Sequence, residues 1–381
     1  MSNTSQRDVA IVGAGIIGVM TAWQLAKEGH NVTVYEQWNT PNDRGASAGE
    51  SRIFRTAYKE GAEYIPILQK SLPMWEELQA AQGRSVLQMC GGLTIGHPEN
   101  PEVQAVVENA KIEGLELEIL DQAQMADRFP QYQLDDDEVG VYDPMAGIFR
   151  PELAVLIARD ESKRLGATYR AYTRVLNIRQ TANRMTVDTA HDAVQYDKVV
   201  VTTGPWATEL AGLDPDKVRP KQLVAGWFPA FDILQHEPNN MPIAIRRHSE
   251  GGFSCFPVLD GMAVKILPHH LQWKDIAFPE DLARFSTAEV VQATERAVAR
   301  LMPGLEPTAI RVSTWTEGFT PDGAPLVGPS PSNTNIILAV GMSGQGFKFA
   351  PMIGSIVADY VSCNESSDAI AVMSSHRFEK E

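Results

Sequence analysis

The stretch from Asp8 to Glu36 constrains this chain more than any other. It reads Asp8-Val-Ala-Ile-Val12, then Gly13-Ala-Gly15-Ile-Ile-Gly18, a helical run to about Gly29, and Asn31-Val-Thr-Val-Tyr-Glu36. That order is strand, glycine turn, helix, strand, acid. Each glycine has a separate task in such a unit: Gly13 for the tight turn, Gly15 for close backbone approach to a pyrophosphate, Gly18 for close helix packing. The helix start offers unpaired N–H groups and a partial positive charge, which suit phosphate. Glu36 ends the second strand, where a carboxylate accepts hydrogen bonds from ribose hydroxyls. Gly13, Ala14, Gly15, Ile16, Ile17, Gly18, Glu36 and Gln37 are therefore candidate dinucleotide contacts. The fingerprint leaves FAD and NAD both open. The acid at 36 argues against a 2′-phosphate, and so against NADP.

Composition narrows the setting. At 381 residues the chain exceeds one ordinary core, so two domains are expected. A formal charge of −15 argues against nucleic acid as a partner. No apolar run approaches the length of a membrane span. The polar residues before Asp8 lack the features of a signal peptide. Cys90, Cys255 and Cys363 are odd in number and widely spaced. They suggest neither a disulfide framework nor a metal cluster, and suit a reducing cytoplasm.

The texture then alternates. A long loop rich in glycine and small polar residues runs from Gln37 to Ser51, a functional candidate by its length. It leads to Arg52 and Arg55, three apart and read as one face of a helix. Helices are predicted at 65–82, 101–114, 151–166, 287–301 and 351–361. Residues 87–95 read as one strand with a glycine bulge, and 115–144 as irregular, with Asp135-Asp-Asp-Glu138 a solvated loop. Short runs with turn signals between 221 and 267 predict antiparallel sheet. The fold class expected is α/β: a Rossmann-like dinucleotide-binding domain from 1–85, 146–215 and 310–381, interleaved with an antiparallel-sheet α+β substrate domain from 86–145 and 216–309.

Four stretches carry a family likeness: Gly13–Gly18, Gly49-Glu-Ser-Arg-Ile-Phe-Arg-Thr-Ala-Tyr58, Met262-Ala-Val-Lys265-Ile-Leu-Pro-His269, and Ser343-Gly-Gln-Gly-Phe-Lys-Phe349. In them the chain resembles the FAD-dependent amine oxidases of the D-amino-acid oxidase superfamily, within it the sarcosine oxidase and N-methyltryptophan oxidase group. The resemblance implies FAD as cofactor, a small amino-acid substrate, and molecular oxygen as acceptor with release of hydrogen peroxide. It places Arg52 near the flavin, Arg55 and Lys348 on the substrate carboxylate, Lys265 by the flavin where oxygen reacts, and His269 near the substrate, followed by His270. It adds Ser47, Ser51, Val175, Thr203, Gly204, Trp206, Gly344, Gly346, Phe347 and Lys348 itself as cofactor contacts. Four departures stand out. Trp315 occupies the place of the cysteine that attaches flavin in the sarcosine oxidase group, so noncovalent FAD is expected. Ser254 replaces an aromatic residue, Glu317 a tyrosine, and Gln345 a frequent histidine; Glu317 and Gln345 become candidate substrate contacts. Trp206, Trp227, Trp273 and Trp315 read as core or pocket wall. A cytoplasmic monomer or small homo-oligomer is expected. The rival readings are a primary amino-acid oxidase, a dehydrogenase using another electron acceptor, and a non-catalytic nucleotide-binding protein.

Overall fold

The computed structural model describes residues 6–211, 213–248, 252–269 and 274–379. The strand β1 (Asp8–Val12), helix α1 (Ile16–Lys27) and strand β2 (Asn31–Tyr35) form where the pattern places them. They sit in a six-stranded sheet ordered Leu326–Ser330, Asn333–Val340, Lys198–Val201, β1, β2, Thr168–Arg170. Neighbours are parallel except Leu326–Ser330, which runs antiparallel to Asn333–Val340.

Alternation along β1 sends its side chains to two different cores. Val9 and Ile11 face α1, the helix Pro151–Arg164 and the helix Gly346–Cys363. Ala10 and Val12 face a small antiparallel sheet, Val175–Thr181, Arg184–Thr189 and Ala193–Tyr196.

A second, nine-stranded sheet carries the remaining texture. Its path runs Lys274–Asp275, Arg219–Pro229, Ala263–Pro268, Phe253–Phe256, Ile243–Arg247, Gly92–Gly96, Val139–Asp143, Glu118–Leu120, and Arg311–Phe319 pairs along Arg219–Pro229. Pairing is antiparallel except between Ile243–Arg247 and Gly92–Gly96. One face packs under the helices Gln122–Arg128 and Ala288–Leu301, burying Phe253, Cys255, Val264 and Ile266. The other face carries Trp227, Trp315 and Phe256, packed with Ala48 and Ile53 of the preceding loop and strand.

Several expectations need correction. Residues 87–95 form two strands in two sheets, Leu87–Met89 and Gly92–Gly96, because Gly91 turns the chain at φ +72°. Arg52 does not share a helix face with Arg55: Arg52–Phe54 is a strand, paired with Gly147–Phe149. Residues 115–144 hold Glu118–Leu120, Gln122–Arg128 and Val139–Asp143. Glu138 is not solvated; it is 5% exposed and paired with the fully buried Arg246. Near the C-terminus the helix begins at Gly346, not Pro351, which puts Lys348 in its first turn. Among the described residues no helix is long and apolar enough to cross a membrane.

Candidate active site

The glycine turn is packed too closely for side chains. Gly13 sits at φ +101°, and a Cβ there would lie 2.7 Å from the Thr202 carbonyl oxygen. A Cβ on Gly18 would lie 1.9 Å from the Gly13 carbonyl oxygen. These contacts press α1 onto the ends of β1 and Lys198–Val201 and leave its start facing a cleft.

That cleft holds about 1320 Å³ of free space, part of it continuous with solvent. Gly13, Ala14, Gly15, Ile16, Ile17, Glu36, Gln37 and Ser47 line one end. Val175, Thr203, Gly204 and Trp206 line its wall, and Arg52, Glu317, Gly344, Gly346 and Phe347 also border it. Gly18 and Ser51 are not on its lining. Gly18 lies under the turn, and the buried Ser51 hydroxyl has no partner among the described residues.

Glu36 is 7% exposed, and burial raises its carboxyl above the ordinary range. Its two oxygens accept from Ala14 N at 2.9 Å and Trp38 N at 3.0 Å. Each oxygen keeps a lone pair for a ribose hydroxyl. Ser47 Oγ accepts from Ile16 N at 2.9 Å, in the first turn of α1. Trp38 and Trp206 meet edge to face at 5.2 Å, and Trp206 Nε1 donates to Glu280 Oε1 at 2.7 Å. Trp38, Pro41, Asn42, Gly45 and Ala46 also line the cleft and were missed. Their only signal in the sequence is the long loop they belong to.

Arg52 organises that loop. Its guanidinium donates to Ser51 O at 2.7 Å, to Ala46 O at 2.6 Å and to Ala48 O. Lys265 holds the same loop from below, donating to Gly49 O at 2.7 Å and Ser51 O at 3.1 Å. Its Nζ stands 4.6 Å from the Phe256 ring centre and 5.5 Å from that of Trp315. Burial, and then the Arg52 charge, push its ammonium well below the usual lysine range. Lys265 is 3% exposed, lies on an interior strand and does not line the cleft. Glu317 does; its Oε1 accepts from Gly344 N at 2.7 Å, and burial raises its carboxyl.

A second cluster stands beside the cleft, around Tyr58. The Arg55 guanidinium lies 5.1 Å from the Tyr58 ring centre and Lys348 Nζ 4.8 Å from it. Arg55 is 8% exposed, reaches Glu60 only at 3.5 Å, and its buried Nη1 has no hydrogen-bond partner among the described residues. Lys348 Nζ donates to the Gln345 carbonyl at 3.0 Å. Burial, then the Arg55 charge, lower its ammonium to about 7. The Tyr58 hydroxyl donates to Gln345 Oε1. Asp143 fixes this segment by accepting from Thr56 N at 3.0 Å and Ala57 N at 2.9 Å. Neither Tyr58 nor Asp143 was singled out in the sequence for this role. His269 pairs through Nε2 with Ser254 Oγ at 2.9 Å, away from the cleft lining. His270 and Trp273 lie outside the described residues.

The chain is 29% identical over 373 residues to a monomeric sarcosine oxidase of Streptomyces avermitilis, covering 97% of each chain. It is 27% identical over 377 residues to an N-methyl-L-tryptophan oxidase of Yersinia pestis, covering 97% of this chain and 99% of that one. The L-proline dehydrogenase structure from P. horikoshii has the same fold, with a TM-score of 0.85 at 20% identity over 98% of each chain. The FAD dependent oxidoreductase family matches residues 8–360. A cleft with an acid for ribose and a helix start for phosphate fits the cofactor of that family. The chain therefore belongs to the FAD dependent oxidoreductase family and is an FAD-dependent oxidoreductase.

Proposed function

We propose that the protein oxidises the C–N bond of a small α-amino acid, secondary or N-methylated by preference, to an imine, with oxygen reduced to hydrogen peroxide. The carrying observation is the unsatisfied Nη1 of Arg55, buried beside Lys348 and the dinucleotide cleft. A buried guanidinium N–H without an acceptor favours an anionic ligand. The curated relatives named above, which cover nearly the whole chain, are oxidases named for N-methylated amino acids.

Bound FAD would supply the hydride acceptor and the route of electrons to oxygen. The chain's residues would do the positioning. The start of α1 faces the phosphates, and Glu36 takes the ribose hydroxyls. Arg55 holds the substrate carboxylate with its planar fork, and Lys348 adds a second charge. Gln345 steadies this pair through Tyr58, and His269 with Ser254 borders the substrate. Arg52 orders the loop against the ring end of the cleft, and Lys265 donates from beneath it, where charge developing on oxygen would be stabilised. The amine must be neutral at transfer, so burial that excludes water favours the reaction.

FAD is held without a covalent bond, the active enzyme is a cytoplasmic monomer or small homo-oligomer, and the two sheets define the cofactor and substrate domains. The test is a panel of amino acids and their N-methyl derivatives, scored by anaerobic bleaching of the flavin and then by peroxide in air. Bleaching by N-methyl compounds ahead of their parents is expected. No bleaching by any would overturn the reading. Lys265→Met should slow reoxidation by oxygen more than flavin reduction; equal slowing would favour another electron acceptor.

A further inference from the structure

The near face of the nine-stranded sheet, the one that carries Trp227, Trp315 and Phe256, also carries a cation with no part in the scheme above. Successive strand residues point to opposite faces. Arg246 points away, fully buried, with Nη1 on Gln133 O at 2.7 Å and Nη2 paired with Glu138. Arg247 therefore shares the near face with Ile245. That face continues through the register Ile245–Ser254 and Ser254–Leu267 to Lys265, two residues along. Ser254 is the partner of His269.

Among the described residues Arg247 makes one ion pair, from Nε to Glu102 Oε2 at 2.8 Å. Its side chain is 16% exposed, and its two terminal nitrogens make no hydrogen bond to the described residues. The Arg55 charge is among the causes, after burial, that lower the Arg247 guanidinium, so the two arginines stand within electrostatic reach. Both act on Glu60. Lys59 adds its charge 3.1 Å from Glu102 and 3.6 Å from Glu60.

Four cations thus gather here, Arg55, Lys59, Arg247 and Lys348, around two carboxylates, Glu60 and Glu102. Glu317, the other acid acting on Lys348, also faces Arg52 and accepts from Gly344 N. Arg55 and Lys348 are buried, Lys59 and Arg247 half-buried beside them, and a cluster with more cations than carboxylates suits an anionic ligand. The α-carboxylate of an amino acid answers one charge. A planar guanidinium with free N–H groups is suited to hold another carboxylate.

We propose that Arg247 binds a second acidic group of the substrate, so that the preferred class is dicarboxylic: secondary amino acids with a carboxylate on the side chain or on the N-substituent. This rests on the amino-acid oxidase reading above. The distance from Arg55 to Arg247 along the sheet face would then select the length of the side chain.

The experiment compares N-methyl-aspartate and N-methyl-glutamate, as both enantiomers, with N-methyl-alanine on the FAD-loaded enzyme. Anaerobic flavin reduction gives kcat/KM for each. The wild-type protein is expected to favour a dicarboxylate by roughly 10–100-fold, the range of one charge-assisted hydrogen-bonded contact. Arg247→Met should collapse that ratio, mainly through KM, and Arg247→Lys should restore part of it. Reduction by N-methyl-alanine with no dicarboxylate preference would overturn the inference and leave the amino-acid oxidase reading standing. A preference that persists in Arg247→Met would also overturn it. If none of the compounds reduces the flavin, the functional reading falls and this inference with it.

Discussion

Burial and the neighbouring Arg55 charge bring the Lys348 ammonium down to about 7. The sign of its effect differs for folding and for binding. An unfolded lysine holds its proton to about 10.4. Between those values the unfolded chain binds the extra proton, so this group makes folding more favourable as pH rises through that window. Carboxylate binding needs the charged form and runs the other way. The dissociation constant of an inert carboxylate such as acetate, read from the flavin spectrum, should be level below pH 7 and rise about tenfold per unit above it. Lys348→Met should bind weakly at every pH with no break near 7; a flat wild-type profile would remove Lys348 from the anchor. Arg55→Lys keeps the charge but loses the fork and should lower kcat/KM by at least about tenfold. Both residues were singled out through the resemblance of short motifs. The Tyr58 ring between them was not. Arg55 and Tyr58 are close in sequence, but Lys348 reaches the ring from the opposite end of the chain.

Helix α1 depends on Gly18 in a way that can be tested. Gly18→Ala places a methyl 1.9 Å from the Gly13 carbonyl oxygen, a backbone atom that cannot swing aside. Overpacking of this kind typically costs about 1–3 kcal/mol. The variant should unfold at lower urea and purify with little FAD; full flavin content would mean the turn tolerates the methyl group. Residues 133–138 depend on Arg246 instead. Arg246→Met leaves Glu138 buried without its cation, and breaking such a pair costs about 3–5 kcal/mol. Equilibrium urea unfolding would reveal it, and a loss under about 1 kcal/mol would mean water reaches Glu138. These two elements mark the limit of sequence reading. The unit at Asp8–Tyr35 is local: its turn, helix and strands follow from neighbours along the chain. The Ile65–Gln82 helix is likewise local, with Leu68, Trp75 and Leu78 buried at helical spacing. The run Asp135–Glu138 reads as solvated because nothing near it in sequence announces Arg246. The run 87–95 reads as one strand because strand periodicity does not reveal that Gly91 passes the chain from one sheet to another.

The two sheets meet through the loops between them more than through a shared core. Lys265 comes from the antiparallel sheet yet holds the loop at Gly49 and Ser51. Glu317 comes from a strand of the same sheet and borders a cleft whose other end is the α1 turn. Bound FAD would therefore span both sheets, and its binding energy would add to the stability of the whole chain. A ligand at a hundred times its dissociation constant contributes about 2.7 kcal/mol. FAD-free protein should accordingly melt a few degrees lower, and added FAD should restore the melting point. The noncovalent attachment proposed above rests on Trp315, which is 8% exposed, packs on Trp227 and has its ring centre 5.5 Å from Lys265 Nζ. An indole there offers no thiol to form a thioether. Cys90, Cys255 and Cys363 are not among the residues that line the cleft. Denaturing the yellow holoprotein in acid should leave all the colour in the supernatant, and refolding should again require added FAD. Colour retained in the pellet, or on the denatured band of a gel, would demand a covalent link from some other side chain and would overturn the noncovalent assignment.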